Sequence, residues 1–202
     1  MVSKACYVAS YRRKLEELAG LGVDLTLVAP PYWHSGGRRL SFEPGYAGGY
    51  RTVLQNPVFN GSFHLHYYPQ LPALIRRYDP DLVHIDEEPY DLVSFKAARA
   101  ALSAGAKVLF FTWQNIQRRY PPPFTFFERW LLNRAHGAIA GSADAAAVLR
   151  DKGYHRPLYV IPQFGVDTEL FSLRPPDTVA EFTPGRPFRI GFSGRLVEEK
   201  GL

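Results

Sequence analysis

Short apolar runs alternate with longer segments in which apolar residues recur at a helical spacing, up to about residue 162. A glycine-rich stretch at residues 32–62 interrupts this alternation and is expected to hold one strand near residues 51–54. Apolar runs separated by helical segments indicate parallel strands that are joined by crossover helices. The pattern therefore predicts an α/β fold with a parallel sheet, whose clearest strands are residues 23–29, 82–85, 107–112 and 158–161.

The helical segments have recognisable ends. Ser10 is expected to cap the first helix, and Gly20 or Gly22 to end it. The strand that should precede this helix is either residues 1–2 or residues 6–9. The predicted helices cover residues 10–21, 71–78, 90–103, 124–134 and 142–152.

A change of composition divides the chain after about residue 162. Residues 162–187 are rich in proline, glycine and polar side chains, which indicates a linker. A new apolar run at residues 188–193 predicts a strand, and a parallel strand needs neighbours and a helix to bury both faces. We therefore expect part of a longer two-domain protein, with a first domain, a linker and the start of a second domain at residues 1–162, 163–187 and 188–202.

Composition and charge narrow the class of protein. The hydrophobic fraction of 46% and the charged fraction of 21% exclude a disordered chain. The single cysteine, Cys6, excludes an internal disulfide and favours a reducing compartment. No apolar run approaches the ~20 residues that span a bilayer, and the first residues lack the apolar core of a secretory signal, so a cytoplasmic protein is expected.

The net charge of +5 suits phosphorylated ligands, acidic membrane surfaces or nucleic acid, and does not choose between them. The sequence shows no recognition helix and no strand face on which aromatic and basic residues alternate. Nucleic acid is therefore not an expected partner.

The end of the sequence carries a pattern suited to a diphosphate. An apolar run leads to Gly194, and the cations Arg195 and Lys200 follow. A glycine lets backbone amides approach a phosphate, and two cations neutralise the charge that grows on a departing diphosphate. From spacing alone, solvated surface cations remain the alternative.

Residues 190–202 (IGFSGRLVEEKGL) resemble the segment that opens the second domain of retaining glycosyltransferases of family 4. Residues 161–171 are similar to the interdomain segment of that family, and residues 81–84 and 140–144 to parts of its first domain. The resemblance implies two facing Rossmann-like domains, the GT-B architecture, of which this chain holds the first half.

The resemblance also implies an activity and its ligands. A sugar would move from a nucleotide-diphosphate-sugar co-substrate to an acceptor with retention of configuration, without a tightly bound cofactor or a metal. Gly194, Arg195 and Lys200 fall on the family positions that bind the donor diphosphate, and the two cations would assist its departure. The acceptor, a glycan, a lipid-linked molecule or a small molecule, would lie in the first domain.

The family's second domain normally carries a pair of glutamates that hold the donor. No counterpart occurs up to residue 202, so we expect the C-terminal domain to be missing and this polypeptide to be inactive by itself.

Two family positions differ in this sequence. Members often have a Gly-Gly turn after the first strand, whereas residues 3–6 read Ser-Lys-Ala-Cys and residues 9–10 read Ala-Ser. Many members have a histidine in a Thr-x-His-Asn setting, where this chain has Gln114 followed by Asn115. A glutamine cannot act as a general base at neutral pH. Gln114 is expected either to line the acceptor cleft with Asn115 or to cap the following turn.

Three consecutive carboxylates, Asp86, Glu87 and Glu88, follow the apolar run that ends at Ile85. Ligands of open α/β sheets bind beyond the carboxyl ends of the strands, so these side chains are expected to line the acceptor cleft. A solvated loop and a divalent-metal site are the alternatives for the carboxylates. Tyr90 adds either a stacking face in the cleft or an ordinary helix-packing aromatic ring.

The histidines have structural interpretations that compete with functional ones. His84 lies inside an apolar run and is expected to be a hydrogen-bonded core residue. His64 and His66 alternate, which suits one face of a surface strand better than a metal pair, because no cluster of further ligands accompanies them.

Residues 113–127 combine Arg118 and Arg119 with aromatic rings and prolines. Such a loop suits a phosphate-bearing or lipid-linked acceptor at a membrane surface, which would place the protein at the inner face of the membrane. A rigid loop that packs on the next helix is the equally open alternative.

The resemblance favours a glycosyltransferase over two other functional hypotheses. One is a nucleotide-sugar epimerase or hydrolase of the same architecture, and the other is a stand-alone, non-enzymatic Rossmann-like binding module. Dependence on an added acceptor separates a transferase from an epimerase.

Overall fold

A computed structural model describes residues 1–169, 171–172 and 191–194. The chain divides into two units, Met1–Gly165 and Val166–Leu202. The described helices and strands belong to the first unit. The predicted strand at residues 188–193 is not seen at residues 191–193, and the rest of it lies outside the described residues.

The first unit contains a parallel sheet. The strands in chain order are β1 (Thr26–Ala29), β2 (Tyr32–Ser35), β3 (Arg38–Ser41), β4 (Arg51–Leu54), β5 (Leu82–Ile85), β6 (Lys107–Thr112), β7 (Gly137–Ala140) and β8 (Leu158–Val160). In the parallel sheet, β1 pairs with β4, and the other four strands pair with one another in the order β5, β6, β7, β8. Val2 joins the two groups because it pairs in parallel with Val28 of β1 and with Ile85 of β5. The predicted α/β fold with a Rossmann-like parallel sheet is confirmed.

Helices connect the parallel strands, as such strands require. The helices in chain order are α1 (Arg13–Gly20), α2 (Leu71–Tyr78), α3 (Leu92–Ser103), α4 (Phe124–Leu132) and α5 (Ala143–Asp151). The last four of them follow β4, β5, β6 and β7, respectively, and each leads to the next parallel strand. Ser142 caps α5, because its hydroxyl oxygen accepts a hydrogen bond of 3.2 Å from the amide of Ala145. α2 ends at Asp79, whose φ of 42° turns the chain out of the helix before Pro80.

The main hydrophobic core includes the inward side chains of the sheet and α3. Val83, Val108 and Phe110 are buried on the strands, and α3 contributes the alanines Ala97 and Ala98. Because alanine side chains are small, α3 can pack closely on the sheet. This packing fixes the strand ends that carry the polar residues of the candidate site.

The beginning of the chain resolves the two alternatives for the first strand. The alternative at residues 1–2 is confirmed by the pairing of Val2 with two strands, whereas residues 6–9 lie in short 3₁₀ turns. The first helix begins at Arg13, so the prediction that it begins at Ser10 was wrong. Arg12 explains the difference: its buried guanidinium donates to the carbonyl oxygens of Cys6 and Tyr7 and thereby holds the turns.

The glycine-rich stretch contains the expected strand at Arg51–Leu54 and also a hairpin that was not predicted. β2 and β3 pair antiparallel around Gly36 and Gly37, whose φ values are 56° and 75°. Two residues with positive φ form the two-residue turn that suits a hairpin. The Gly-Gly pair between two strand-forming segments was the available signal.

Candidate functional site

Polar side chains gather where the parallel strands end. Ser3 and Lys4 follow Val2, Asp86–Glu88 follow β5, and Gln114 follows β6 by two residues. The carboxyl edge of an open parallel sheet is where such folds bind ligands. The sheet therefore brings together all of the predicted acceptor-cleft residues near one edge, although they differ in what they contact.

Asp86 is buried and its two oxygens already have donors. Oδ2 accepts hydrogen bonds of 2.9 Å from Ser3 Oγ and Lys14 Nζ, and Oδ1 accepts one of 2.9 Å from Gln163 Nε2. Burial by itself raises the pKa of Asp86, but the nearby Lys14 ammonium and the hydrogen bonds outweigh it, so the pKa is lowered. Asp86 is a buried structural anion, and it does not line the cavity described below.

Glu87 is also buried, and both of its carboxylate oxygens accept hydrogen bonds from one residue, Lys4. Lys4 donates to its Oε1 from the backbone amide and to its Oε2 from the ammonium group. His66 Nε2 lies 3.9 Å from Oε1, which is beyond hydrogen-bond distance. Neither Glu87 nor Asp86 is a solvated loop residue, so that alternative was wrong for both.

Glu88 differs from its two neighbours because no cation of the described residues forms an ion pair with it. Its Oε2 accepts a hydrogen bond of 2.6 Å from Thr112 Oγ1, and its Oε1 accepts one of 2.8 Å from the amide of Trp113. Burial raises the pKa of Glu88 to about 7, although these two hydrogen bonds oppose the rise. Near neutral pH, Glu88 can therefore either accept or donate a proton.

A cavity of about 200 Å³ opens beside Glu88. The cavity contains four of the six predicted acceptor-cleft residues, and its lining is Glu88, Tyr90, Trp113, Gln114, Asn115, Ile116, Arg118 and Tyr120. The predicted loop at residues 113–127 supplies most of this lining. Trp113 and Tyr120 belong to the aromatic residues of that predicted loop, whereas Ile116 was not singled out from the sequence.

Tyr90 and Tyr120 form one wall of the cavity. Their rings stack with centroids 4.0 Å apart and an angle of 28° between the planes. One face of Tyr90 is therefore covered by Tyr120. The contact supports both earlier interpretations, since Tyr90 packs on another aromatic ring and also lines the cavity.

Gln114 is held in place by a network. Its backbone amide donates a hydrogen bond of 3.1 Å to Thr112 Oγ1, and its side-chain Oε1 accepts a hydrogen bond of 2.7 Å from Lys152 Nζ. Lys152 also forms an ion pair of 2.5 Å with Glu128. Gln114 lines the cavity beside the exposed Asn115, and its side chain is bonded to Lys152 and Tyr120 and not to a backbone group of the following turn in the described residues.

The indole of Trp113 is held by a hydrogen bond at Nε1 and by close packing of its six-membered ring on Gly141. Its Nε1 donates a hydrogen bond of 2.6 Å to Gln163 Oε1. A Cβ atom added to Gly141 would lie 2.3 Å from Trp113 Cε3, so the ring lies against the Gly141 backbone. The side chain is nevertheless 44% exposed, which leaves an apolar face beside the cavity.

The histidines differ from their predicted environments. Residues 63–65 form a turn, so the expected surface strand at His64 and His66 was wrong. His66 is fully buried, and its Nδ1 lies 3.1 Å and 3.0 Å from the carbonyl oxygens of Ser62 and Phe63. His84 lies in β5 as expected, but its buried Nε2 has no hydrogen-bond partner among the described residues, and burial lowers its pKa to about 4.

The predicted donor-binding residues lie in the second unit. Gly194 is exposed, and Arg195 and Lys200 lie outside the described residues. Within the described part of the chain, no group of three or more His, Cys, Asp or Glu side chains is arranged to hold a metal ion. No helix in that part is long and apolar enough to cross a membrane.

The fold is that of a Rossmann-like α/β domain, and its cavity lies at the carboxyl ends of the strands, where such folds bind ligands. The sequence model of Glycosyltransferase Family 4 matches residues 10–170, well over half of the chain. The chain therefore belongs to glycosyltransferase family 4, and the family resemblance of its first domain is confirmed. No curated protein and no solved structure gives a significant match.

Proposed function

We propose that this chain provides the acceptor-side domain of a retaining glycosyltransferase that uses a nucleotide-diphosphate sugar. Its family supports a glycosyltransferase with a sugar donor and an acceptor. The observation that carries the acceptor assignment is the cavity at the carboxyl edge of the sheet, in which Glu88 is oriented by Thr112 and Trp113.

The chemistry of the cavity fits a hydroxyl-bearing acceptor. A carboxylate that is held by two donors keeps lone pairs for a further hydroxyl group. The exposed indole face of Trp113 offers apolar contact to the C–H face of a sugar ring. Asn115 and Gln114 add amide groups that donate and accept hydrogen bonds.

The donor is assigned to the second unit. Gly194, Arg195 and Lys200 hold the diphosphate in this proposal, because they match the family segment that does so. As the bond between the sugar and the diphosphate breaks, the acceptor oxygen bonds to the same face of the anomeric carbon and its hydroxyl proton passes to the departing diphosphate. The two cations stabilise the charge on the departing nucleoside diphosphate, and neither a tightly bound cofactor nor a metal takes part.

The same proposal places the protein in the cytoplasm, with a peripheral contact to the inner face of the membrane when the acceptor is lipid-linked. Ile116, which lines the cavity, and Phe126, in the first turn of α4, are 59% and 56% exposed and lie on either side of Arg118 and Arg119 in the sequence. Exposed apolar side chains beside arginines suit an acidic membrane surface.

The test is an acceptor-dependence assay with the protein expressed from its complete reading frame. A panel of nucleotide-diphosphate sugars is incubated with and without candidate acceptors, and the released nucleoside diphosphate and the anomeric configuration of the product are measured. Acceptor-dependent release with retained configuration supports the proposal. Release or isomerisation without any acceptor would instead indicate a hydrolase or an epimerase, and donor binding without turnover a binding module.

A further inference from the structure

His64 and Asp91 form a pair that the sequence did not reveal. His64 Nδ1 lies 2.8 Å from Asp91 Oδ1, and Asp91 is buried whereas the imidazole is 51% exposed. A carboxylate only accepts hydrogen bonds, so Nδ1 carries the proton and donates it. Nε2 is on the opposite side of the ring and is left for another group.

The imidazole is also fixed through the backbone. The amide of Leu92, at the start of α3, donates a hydrogen bond of 3.0 Å to the carbonyl oxygen of His64. The amide of His66 donates to the carbonyl oxygen of Ser62 at 3.1 Å, which closes the turn. Because both the ring and its turn are anchored, His64 is preorganised for a contact on its exposed side.

His64 stands beside the cavity. Its ring centroid lies 5.6 Å from that of Tyr90 and 6.4 Å from that of Tyr120, and these two tyrosines form a wall of the cavity. The ring centroid of Phe124 is 5.6 Å from that of His64. The imidazole therefore borders the aromatic wall.

Of the cations discussed at this edge of the sheet, the lysines are paired with carboxylates, whereas Arg118 forms no ion pair among the described residues. Lys14, Lys4 and Lys152 are paired with Asp86, Glu87 and Glu128, respectively. Arg118 lines the cavity, and no carboxylate of the described residues forms an ion pair with it.

We propose that His64 and Arg118 bind an oxyanion carried by the acceptor, a phosphate above all, while Glu88 binds an acceptor hydroxyl. This inference rests on the proposed function and adds the chemical class of the acceptor to it. An arginine and an imidazolium donate charge-assisted hydrogen bonds to phosphate oxygens, and the rings of Tyr90 and Tyr120 accommodate the apolar part of a sugar.

The protonation of His64 suits this role. The hydrogen bond to Asp91 raises the pKa of His64, opposed by partial burial, and the charge of Lys4 lowers it while that of Glu88 raises it. The aromatic neighbours Tyr90, Tyr120 and Phe124 carry no charge near neutral pH. The ring therefore retains a proton on both nitrogens to a higher pH than an isolated imidazole does.

The experiment titrates the ¹⁵N-histidine-labelled chain with α-D-glucose 1-phosphate and, in parallel, with glucose. The signal of His64 is assigned by its loss in H64Q. We expect saturable shifts of the His64 signal with glucose 1-phosphate and none with glucose at the same concentrations. R118A and H64Q should each weaken binding of glucose 1-phosphate by about tenfold, as expected for a lost hydrogen bond to a charged group.

Two matched variants control this comparison. R129A removes an exposed cation of α4 that does not line the cavity, and H155Q replaces an exposed histidine that precedes β8. Both are expected to keep the affinity for glucose 1-phosphate within about twofold. Equal effects of R118A and R129A, or equal binding of glucose and glucose 1-phosphate, would overturn the proposal.

Two further experiments distinguish a lipid phosphate from a soluble one, and a failure of the oxyanion site from a failure of the proposed function. Flotation with phosphatidylglycerol vesicles tests a lipid phosphate: retention that depends on Arg118 and His64 supports a lipid-linked acceptor, whereas saturation by glucose 1-phosphate alone supports a soluble one. Acceptor-dependent turnover that prefers neutral acceptors contradicts the oxyanion site and leaves the proposed function intact. Binding of glucose 1-phosphate without turnover of any nucleotide sugar contradicts the proposed function instead.

Discussion

Gln163 and Asp86 are 77 positions apart in the sequence and are joined by a hydrogen bond of 2.9 Å from Nε2 to Oδ1. The same amide accepts a hydrogen bond from the indole of Trp113. The next residue, Phe164, stacks on Tyr11 with ring centroids 3.9 Å apart. The segment that follows β8 is thus fastened to the edge of the sheet, and its position is linked to a ring that lines the cavity.

Replacing Asp86 by asparagine is expected to destabilise the fold by about 3 kcal/mol, because a buried ion pair loses one partner and leaves the Lys14 ammonium uncompensated. Urea unfolding at pH 7 measures the loss. Glu17→Gln is the matched control: Glu17 pairs with Arg13 at 3.2 Å but is 66% exposed, so its loss should stay within about 0.5 kcal/mol.

The Asp86 effect has a defined pH dependence. Because the pKa of Asp86 is lowered in the folded state, its stabilising contribution is present above the unfolded pKa of about 3.9 and is lost as the pH falls through the folded pKa. The difference between the wild type and D86N should therefore shrink in acid. A difference that stays constant down to pH 2 would argue against a charged Asp86.

Glu88 is expected to produce the opposite dependence. Its pKa of about 7 in the folded state lies above the ordinary value of 4.5, so the folded state holds the proton more tightly. The contribution of Glu88 to stability is then greatest below about pH 4.5 and falls by roughly 3 kcal/mol as the pH rises to about 7, with no further loss above that. Unfolding free energies of the wild type and Glu88→Gln between pH 4 and 9 test this, and parallel curves would show that Glu88 does not titrate as described.

Gly141→Ala is expected to displace Trp113. The added Cβ would lie 2.3 Å from the indole ring, and the ring must move or the backbone must shift, at a cost of about 1–3 kcal/mol. Trp113 should become more exposed, so its fluorescence should shift to longer wavelength. Gly20→Ala in α1 is the control, since no atom lies within 4 Å of its added Cβ, and unchanged emission in both variants would contradict the close packing.

Arg195→Ala and Lys200→Ala are each expected to reduce turnover of the nucleotide-diphosphate sugar by at least about tenfold, which corresponds to roughly 1.4 kcal/mol of transition-state stabilisation. In the proposed mechanism, these two cations supply the positive charge that stabilises the departing diphosphate. Arg186→Ala, a cation in the preceding proline-rich stretch, is the comparison variant. Wild-type kcat/KM in both substitutions would remove Arg195 and Lys200 from the donor site.

The sheet was predictable because its signal is local. The apolar runs at Leu82–Ile85 and Lys107–Thr112 coincide with β5 and β6, since buried parallel strands need continuous apolar residues. The start of α1 was missed by three residues, because the buried Arg12 organises turns that propensity does not encode. The family resemblance of the first domain was likewise readable from its motifs.

The candidate site was predictable only in part. The position of Glu88 after β5 followed from the rule that ligands bind at the carboxyl edge, and the rule also selected Asp86 and Glu87, which proved to be buried. Their different environments depend on contacts with Lys14 and Lys4, far away in sequence. The His64–Asp91 pair was missed for the same reason, because it joins an irregular turn to the start of a helix.

The central claim is that the cavity beside Glu88 holds the acceptor. The most direct test compares the steady-state kinetics of the wild type and Glu88→Gln, with donor and acceptor varied separately in protein from the complete reading frame. The account predicts that the acceptor KM rises by about tenfold while the donor KM stays within about twofold, because one hydrogen bond to a charged group is lost on the acceptor side alone. A raised donor KM with an unchanged acceptor KM would contradict it.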